Sequence, residues 1–376
     1  MIVSKEVIGI SLIDEKVAIR VISKYMKKGN MARCLRDILP SSGLIKEQRE
    51  EIVELIHDVV RWKKLYEHII DIRGLKSSPE TYIQLATDGS QANASSYPFE
   101  YRYSCSSYVA DVLKNHEEWA EFLNETPPTT FCVNFNKSNT EDVISILRQE
   151  TLPVERSILT TAILTSSNSK YSKVIKSHFA HVQDESSQLV SLLATTLGES
   201  IIDYCAGNGG KSLAIASITK NKKKLYAYEI NTVKRTTLRR RCIEYNADVT
   251  IVENPSEKKY DIVLVDAPCT GLGAARRNPE AKYVENPGDL PQTQLSILRQ
   301  AAENVNSNGT LFYAVCTITP EETTQVIQSF TEEKGFTLYP FNQFPYKEFL
   351  LKNKYGAFTN IPRGDIFFIS VLKKEQ

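Results

Sequence analysis

Several features that would fix the chemistry of this chain at a glance are missing from it. Its seven cysteines stand at 34, 105, 132, 205, 242, 269 and 316, and no two form a Cys-x-x-Cys pair. An odd number at such wide spacing argues against a disulfide framework or a zinc knuckle, and reduced thiols are expected. The five histidines, at 57, 68, 116, 178 and 181, show no ligand spacing, so no metal is expected. No apolar run approaches the roughly 20 residues of a membrane span, and residues 1–10 lack the charged-then-apolar build of a secretory leader. The expectation is a cytoplasmic monomer without membrane attachment. Net charge is only +1, so neither sign dominates, and 376 residues at 41% hydrophobic and 24% charged are ordinary globular composition. That length suffices for two or three domains.

The pattern along the chain divides it. Residues 1–75 read as a helical segment, with Val17, Val21, Ile22, Tyr25 and Met26, then Ile52, Leu55, Ile56, Val59, Val60, Leu65, Tyr66 and Ile69, recurring at helical spacing. Residues 76–97 turn polar and read as a linker with one short helix near Tyr82. Mixed helix and strand signals over 98–182 indicate a small α+β module. From 183 to 376 strands alternate with helices, which predicts a doubly wound, mostly parallel α/β sheet of Rossmann-like type. The tail segments around 336–339 and 365–372 are expected to close it as an antiparallel pair.

Ile201-Ile-Asp-Tyr-Cys-Ala-Gly-Asn-Gly-Gly-Lys211 is a strand running into a glycine-rich turn. A phosphate-binding NTPase loop would need glycine at position 205, which is Cys205, and a dinucleotide fingerprint would need glycine at 212, which is Ser212. The turn therefore suits a nucleoside cofactor without pyrophosphate. Glu229, at the end of the next strand, is placed to bond two ribose hydroxyls. S-adenosylmethionine satisfies both ends, and Cys205, Ala206, Gly207, Asn208, Gly209, Gly210, Lys211 and Glu229 are its candidate contacts, with Lys234 and Asp266 nearby in the pattern.

Two thiols close apolar strands downstream: Cys269 ends Asp261-Ile-Val-Leu-Val-Asp-Ala-Pro-Cys269, and Cys316 ends Gly309-Thr-Leu-Phe-Tyr-Ala-Val-Cys316. Cys316 precedes Thr317-Ile-Thr-Pro-Glu-Glu322, read as a helix opening with proline in its first turn, where a thiolate is favoured. A thiolate beside a methyl donor suits methylation of pyrimidine carbon 5. Addition at carbon 6 makes an enamine that can attack the methyl group, and Asp266 is the candidate carboxyl for ring N3. The base must be unstacked to reach such a pocket. Basic residues cluster at 234–241, which suits a phosphate contact and a solvated helix face equally, whereas Arg276-Arg277, directly after the first thiol, favour a nucleic-acid contact.

Asp266-Ala-Pro-Cys-Thr-Gly-Leu-Gly-Ala-Ala-Arg-Arg-Asn-Pro279, Cys316-Thr-Ile-Thr-Pro-Glu-Glu322 and the 205–211 loop resemble the signature blocks of RNA cytosine-5 methyltransferases of the RsmB/Sun type. Asp184-Glu-Ser-Ser-Gln188 resembles that family's entry helix, and the likeness covers about 97–372. The resemblance implies S-adenosylmethionine as donor, cytosine in RNA as acceptor, Cys316 as nucleophile, Cys269 as the thiol that assists product release and Asp266 as pocket carboxylate. It also implies an RNA-binding module over 98–182, with Asn134, Arg276 and Arg277 as RNA contacts. The helices before 75 resemble part of a NusB-like domain, which favours rRNA over tRNA. The resemblance also implies a cofactor contact at Asn254, near the family's adenine-contacting aspartate. Departures from the pattern are Asn208 for proline, Thr270 for serine, Cys132 for arginine, Asn254 for aspartate and Ile366 for glycine.

Alternatives stay open at this level. DNA cytosine-5 methyltransferases use the cysteine of a Pro-Cys pair, which would make Cys269 the nucleophile. A non-catalytic RNA-binding or ribosome-assembly factor on the same fold is a second reading. A thiol hydrolase is disfavoured because no histidine lies near either cysteine motif.

Overall fold

A computed structural model describes residues 12–333 and 335–375. The chain divides into two compact units: residues up to 126 together with 275–286, and residues 127–274 together with 287–376. Among the described residues no helix is long and apolar enough to cross a membrane.

The first unit is helical: α1 (Leu12–Lys28), α2 (Met31–Ile38), α3 (Lys46–Arg61), α4 (Lys63–Ile72), α5 (Pro79–Thr87), and the short α6 (Phe99–Arg102), α7 (Ser107–Leu113) and α8 (Glu117–Leu123). Side chains of Asn30, Ser78 and Ser106 cap α2, α5 and α7 by accepting backbone N–H groups, as their sequence positions dictate. Val17, Val21, Ile22, Tyr25, Ile52, Ile56, Val59, Val60, Leu65, Tyr66 and Ile69 form its core. Met26, expected on the same stripe, is exposed. The region read as a linker holds α5 and a 3-10 stretch, Ser90–Ser96. Residues 98–126, read with the α+β module, belong instead to this helical unit.

The reason lies in 275–286, which supplies the unit with a polar centre. Lys282 is buried, and its Nζ donates to the carbonyls of Arg61 (2.8 Å) and Tyr103 (2.9 Å) and to Asn124 Oδ1. Burial drives its pKa well below that of an ordinary lysine. Tyr283 Oη donates to Val60 O at 2.6 Å, and Met31 N donates to the Glu280 carboxylate at 3.1 Å.

The second unit opens with an antiparallel sheet built from β1 (Thr129–Val133), β2 (Val154–Arg156), β3 (Ala162–Thr165) and β4 (Ala180–Val182), in the order β2-β3-β1-β4, with helices α9 (Thr140–Gln149) and α10 (Lys173–Lys176). The α/β part follows with α11 (Glu185–Ala194), β5 (Ser200–Asp203), α12 (Gly210–Ile218), β6 (Lys224–Tyr228), α13 (Thr232–Glu244), β7 (Thr250–Val252), β8 (Tyr260–Asp266), α14 (Leu290–Ala302), β9 (Val305–Val315), α15 (Thr324–Glu332), β10 (Phe336–Leu338), β11 (Leu350–Lys352), β12 (Ala357–Thr359) and β13 (Phe368–Lys374).

Strands β7-β6-β5-β8-β9 are parallel, and β13, β12 and β11 extend the sheet antiparallel beyond β9. The tail pair is present, since β10 pairs β13; β11 and β12 add two strands that the sequence reading omits. Alternation places Ile262, Leu264, Phe312 and Ala314 in the core on one face and Val263, Val265, Leu311 and Tyr313 on the other. Helices α11 and α12 cover the first face through Leu189, Val190, Leu193 and Ile215. Helices α14 and α15 cover the second through Leu298, Val326, Ile327 and Phe330. Each such side chain contributes about 1.5–3 kcal/mol when fully buried, so both faces of the sheet are strongly specified. The strand order reverses direction between β5 and β8, which is where sheets of this kind bind ligands beyond their carboxyl ends.

Candidate active site

Four of the parallel strands deliver the singled-out residues to one edge. Strand β5 ends in the 204–209 turn, β6 is followed by Glu229, β8 ends at Asp266 and leads to Cys269, and β9 leads to Cys316. The register between β8 and β9 sets Asp266 opposite Ala314. From that common level the chain runs three residues to one thiol and two to the other, and their Sγ atoms lie 3.4 Å apart. Both cysteines are half-buried, whereas Cys34, Cys105, Cys132 and Cys242 are buried in the cores. The hydrogen bond to Cys316, then burial, raise the Cys269 thiol well above its ordinary value, so Cys269 keeps its proton.

The glycine turn is built as the sequence requires. Gly207 and Gly209 take φ of +55° and +89°, and Gly209 is the residue before α12. A Cβ on Gly209 would stand 2.5 Å from Leu238 Cδ1. Glu229 is buried, and its two oxygens accept from Gly207 N and Asn231 N, each at 2.7 Å. Each oxygen keeps a second lone pair for another donor.

Lys211 and Asp266 meet across the site, with Nζ–Oδ2 at 2.6 Å. Lys211 is buried and lies 5.0 Å over the Phe367 ring. Burial opposes its charge, but Asp266, Cys316 and Asp203 outweigh it and raise its pKa. The electrostatic partner of Cys316 is therefore Lys211 and not a helix terminus. The expected helix opening is a single 3-10 turn, Pro320–Glu322, and α15 begins only at Thr324, too far on to act on the sulfur.

Asp203 has a role here that the sequence reading leaves unassigned. It is buried, its Oδ2 accepts from Ser212 Oγ at 2.6 Å, and its Oδ1 has no hydrogen-bond partner among the described residues. Burial raises its pKa to about 6. A group with a raised carboxyl pKa favours folding below about pH 4 and loses that advantage as pH rises through about 6. The difference from the ordinary value corresponds to about 3 kcal/mol. Urea unfolding from pH 4 to 7 should show the wild type losing stability relative to Asp203→Asn by about that amount; parallel profiles would refute it.

Two of the expected RNA contacts are buried, and two of the expected cofactor contacts stand apart from the glycine turn. Asn134 is buried, and its Nδ2 donates to His178 O (2.9 Å) and Tyr245 O (2.8 Å), which removes it from any nucleic-acid surface. Arg276 is also buried, stacked 3.8 Å over the Phe122 ring with Glu125 at 3.7 Å, so it holds the helical unit together instead of displaying charge. Cys132 is enclosed in β1, its thiol pushed up to about 12 by burial. Arg277 is half-buried. Lys234 is exposed on α13, and Asn254 is exposed and accepts from Ser256 N in its own turn. Neither is tied to the glycine turn by a hydrogen bond. Within the basic cluster, Arg240 pairs with Glu244, Arg239 with Glu253, and Arg241 donates to Asn208 O at 2.7 Å.

Residues 190–373 match the family model of the 16S rRNA methyltransferase RsmB/F. That part of the chain belongs to the RsmB/F methyltransferase family. Among RsmB/Sun relatives the chain is similar to the probable ribosomal RNA small subunit methyltransferase B of Bacillus subtilis, with 33% identity over 230 residues, covering 55% of this chain and 50% of that protein. The match thus spans about half the length of that curated relative. In fold it is similar to the crystal structure of PH0851, with a TM-score of 0.79 at 20% identity over 98% of this chain and 100% of that one. It is also similar to NSun6 from Pyrococcus horikoshii solved with SFG, with a TM-score of 0.62 at 17% identity over 72% of this chain and 98% of that one.

Proposed function

We propose that this chain methylates carbon 5 of a cytosine in RNA, with ribosomal RNA as the favoured substrate, using S-adenosylmethionine. The observation that carries this reading is the pair of sulfurs 3.4 Å apart at the sheet edge that also holds the glycine turn. The names of the relatives support an RNA substrate of the small ribosomal subunit. The NSun6 structure was solved with SFG, an S-adenosylmethionine analogue.

The residues fit that cofactor. The unpartnered, buried Asp203 Oδ1 is an acceptor for an ammonium, and the first amides of α12 are donors for a carboxylate. Glu229 retains lone pairs for ribose hydroxyls. When bound, the cofactor supplies an electrophilic methyl group on a sulfonium.

Cys316 acts as the nucleophile. With Cys269 keeping its proton, Cys316 is left to attack, and its sulfur bonds carbon 6 of the base while the ring electrons shift toward carbon 5. Lys211, held charged by Asp266, delivers a proton to N3 as negative charge develops there, a role the isolated carboxylate cannot fill. Carbon 5 then takes the methyl group. Once Cys316 is bonded to the base, Cys269 loses the contact that raised its thiol and gives up its proton to solvent. It then takes the carbon-5 proton as base, the carbon 6–sulfur bond breaks, and Cys316 leaves as thiolate with N3 returning its proton to Lys211.

Purified protein incubated with S-adenosylmethionine and small-subunit ribosomal RNA should produce 5-methylcytidine, read by nucleoside mass spectrometry. Calorimetry should show cofactor binding by the protein alone. Absence of cofactor binding would favour an assembly factor, and methylation confined to transfer RNA would move the substrate.

A further inference from the structure

We infer that Glu322 is a positioning residue that sets the separation of the two reactive sulfurs, a role that rests on reading Cys316 and Cys269 as the reacting pair. In sequence it is the second acid after a proline and looks like any solvent-facing first-turn glutamate. In the fold it is fully buried.

Its Oε1 accepts from Thr270 N at 2.8 Å and Gln294 Nε2 at 3.0 Å. Its Oε2 accepts from Thr270 Oγ1 at 2.6 Å and Thr319 Oγ1 at 2.7 Å, with Thr317 Oγ1 at 3.4 Å. Thr270 directly follows Cys269, and Thr317 directly follows Cys316. One carboxylate therefore grips the neighbour of Cys269 directly and reaches the neighbour of Cys316 through that residue's hydroxyl. A direct contact, Thr270 Oγ1 to Thr317 Oγ1 at 2.8 Å, closes the ring. Gln294 Nε2 also donates to Pro268 O at 2.9 Å, holding the other side of Cys269. The backbone of Glu322 is itself fixed, because Tyr313 Oη donates to its carbonyl at 2.7 Å.

The two oxygens face different kinds of donor. Oε1 meets N–H groups, which can only donate, whereas Oε2 meets hydroxyls, which can also accept. Glutamine can therefore replace Glu322, its amide oxygen toward the N–H groups and its NH2 toward rotated hydroxyls. Alanine cannot, since it leaves buried donors without an acceptor. A positioning role predicts that glutamine rescues what alanine loses, and a role for the charge predicts that it does not.

The test uses the full chain as wild type, Glu322→Gln, Glu322→Ala and Thr319→Val. Diamide takes one hydrogen from each of two adjacent thiols, forming a disulfide and becoming a hydrazine. Its rate of joining Cys269 to Cys316, read by peptide mass spectrometry after alkylation, reports sulfur spacing without RNA or cofactor. Joining in Glu322→Ala should slow about 10-fold, and methyl transfer should fall about 100-fold in kcat with KM for RNA little changed. Glu322→Gln should recover both to within about 5-fold of wild type, and Thr319→Val should fall between the two alanine and glutamine results.

Wild-type joining in a folded Glu322→Ala, or Glu322→Gln as impaired as alanine, would overturn the proposal. If Glu322→Ala does not fold, Thr319→Val decides alone, and joining at the wild-type rate overturns it. Slowed joining in a protein that methylates no RNA would uphold the spacing role and sink the chemical reading instead.

Discussion

Replacing Cys316 by alanine should abolish methyl transfer, while replacing Cys269 by alanine should leave protein joined to RNA in a complex that survives denaturing electrophoresis. The asymmetry follows from the proton that Cys269 holds. Cys269 is kept protonated by its contact with Cys316 and by burial, so Cys316 is the sulfur available to attack carbon 6. Without it no covalent step begins, and losing the nucleophile should lower kcat by at least about 10⁴-fold. Without Cys269 the bond to carbon 6 forms but the carbon-5 proton has no base beside it, and the adduct accumulates. The reverse pattern, with Cys269→Ala inert and Cys316→Ala trapped, would hand the nucleophilic role to the Pro-Cys pair, as in the DNA enzymes. The measurement is a gel shift with labelled RNA alongside initial rates.

A second large effect is expected at Gly273. Its N–H donates to Cys316 O at 3.0 Å and its carbonyl accepts from Ile366 N at 3.0 Å, so it ties the loop after Cys269 to the strand end that carries Cys316. A Cβ there would stand 2.0 Å from Ile366 O, a backbone atom that cannot rotate away. Gly273→Ala should therefore destabilise the fold by about 3 kcal/mol and cut methyl transfer about 100-fold by shifting one thiol against the other. Gly271→Ala is the control within the same loop. That glycine has φ +76° but no atom within 4 Å of a Cβ, so only backbone strain of about 1 kcal/mol is expected. Urea unfolding of both variants separates overlap from strain, and equal losses would refute the account.

The parallel sheet and the carboxyl-edge site were legible because they rest on local signals. Runs such as Ile262 to Val265 announce a strand covered on both faces, and Gly207 and Gly209 stand where the turn needs positive φ. Glu229 and both thiols follow from the strand ends. What escaped was whatever depends on distant partners. Nothing near Arg276 in the sequence reveals that Phe122 and Glu125 enclose it, so a basic pair beside a thiol read as a nucleic-acid contact. Asn134 was lost in the same way, to carbonyls at 178 and 245. Glu322 gave no sign of burial, because its donors come from positions 270, 294 and 319. The Ile366 departure from the family pattern also becomes intelligible. The close approach at this point is carried by the glycine at 273 opposite it, and Ile366 contributes its backbone.

The strip 275–286 has a practical consequence for anyone dissecting the molecule. It leaves the sheet portion just after the Pro-Cys loop and donates its lysine ammonium and tyrosine hydroxyl to carbonyls of the helical portion. A chimera that exchanges the first 126 residues for those of a relative must exchange this strip as well, or it will leave the buried Lys282 without its carbonyl partners. Loss of activity in a simple deletion would then report a torn loop and say nothing about what the helices recognise.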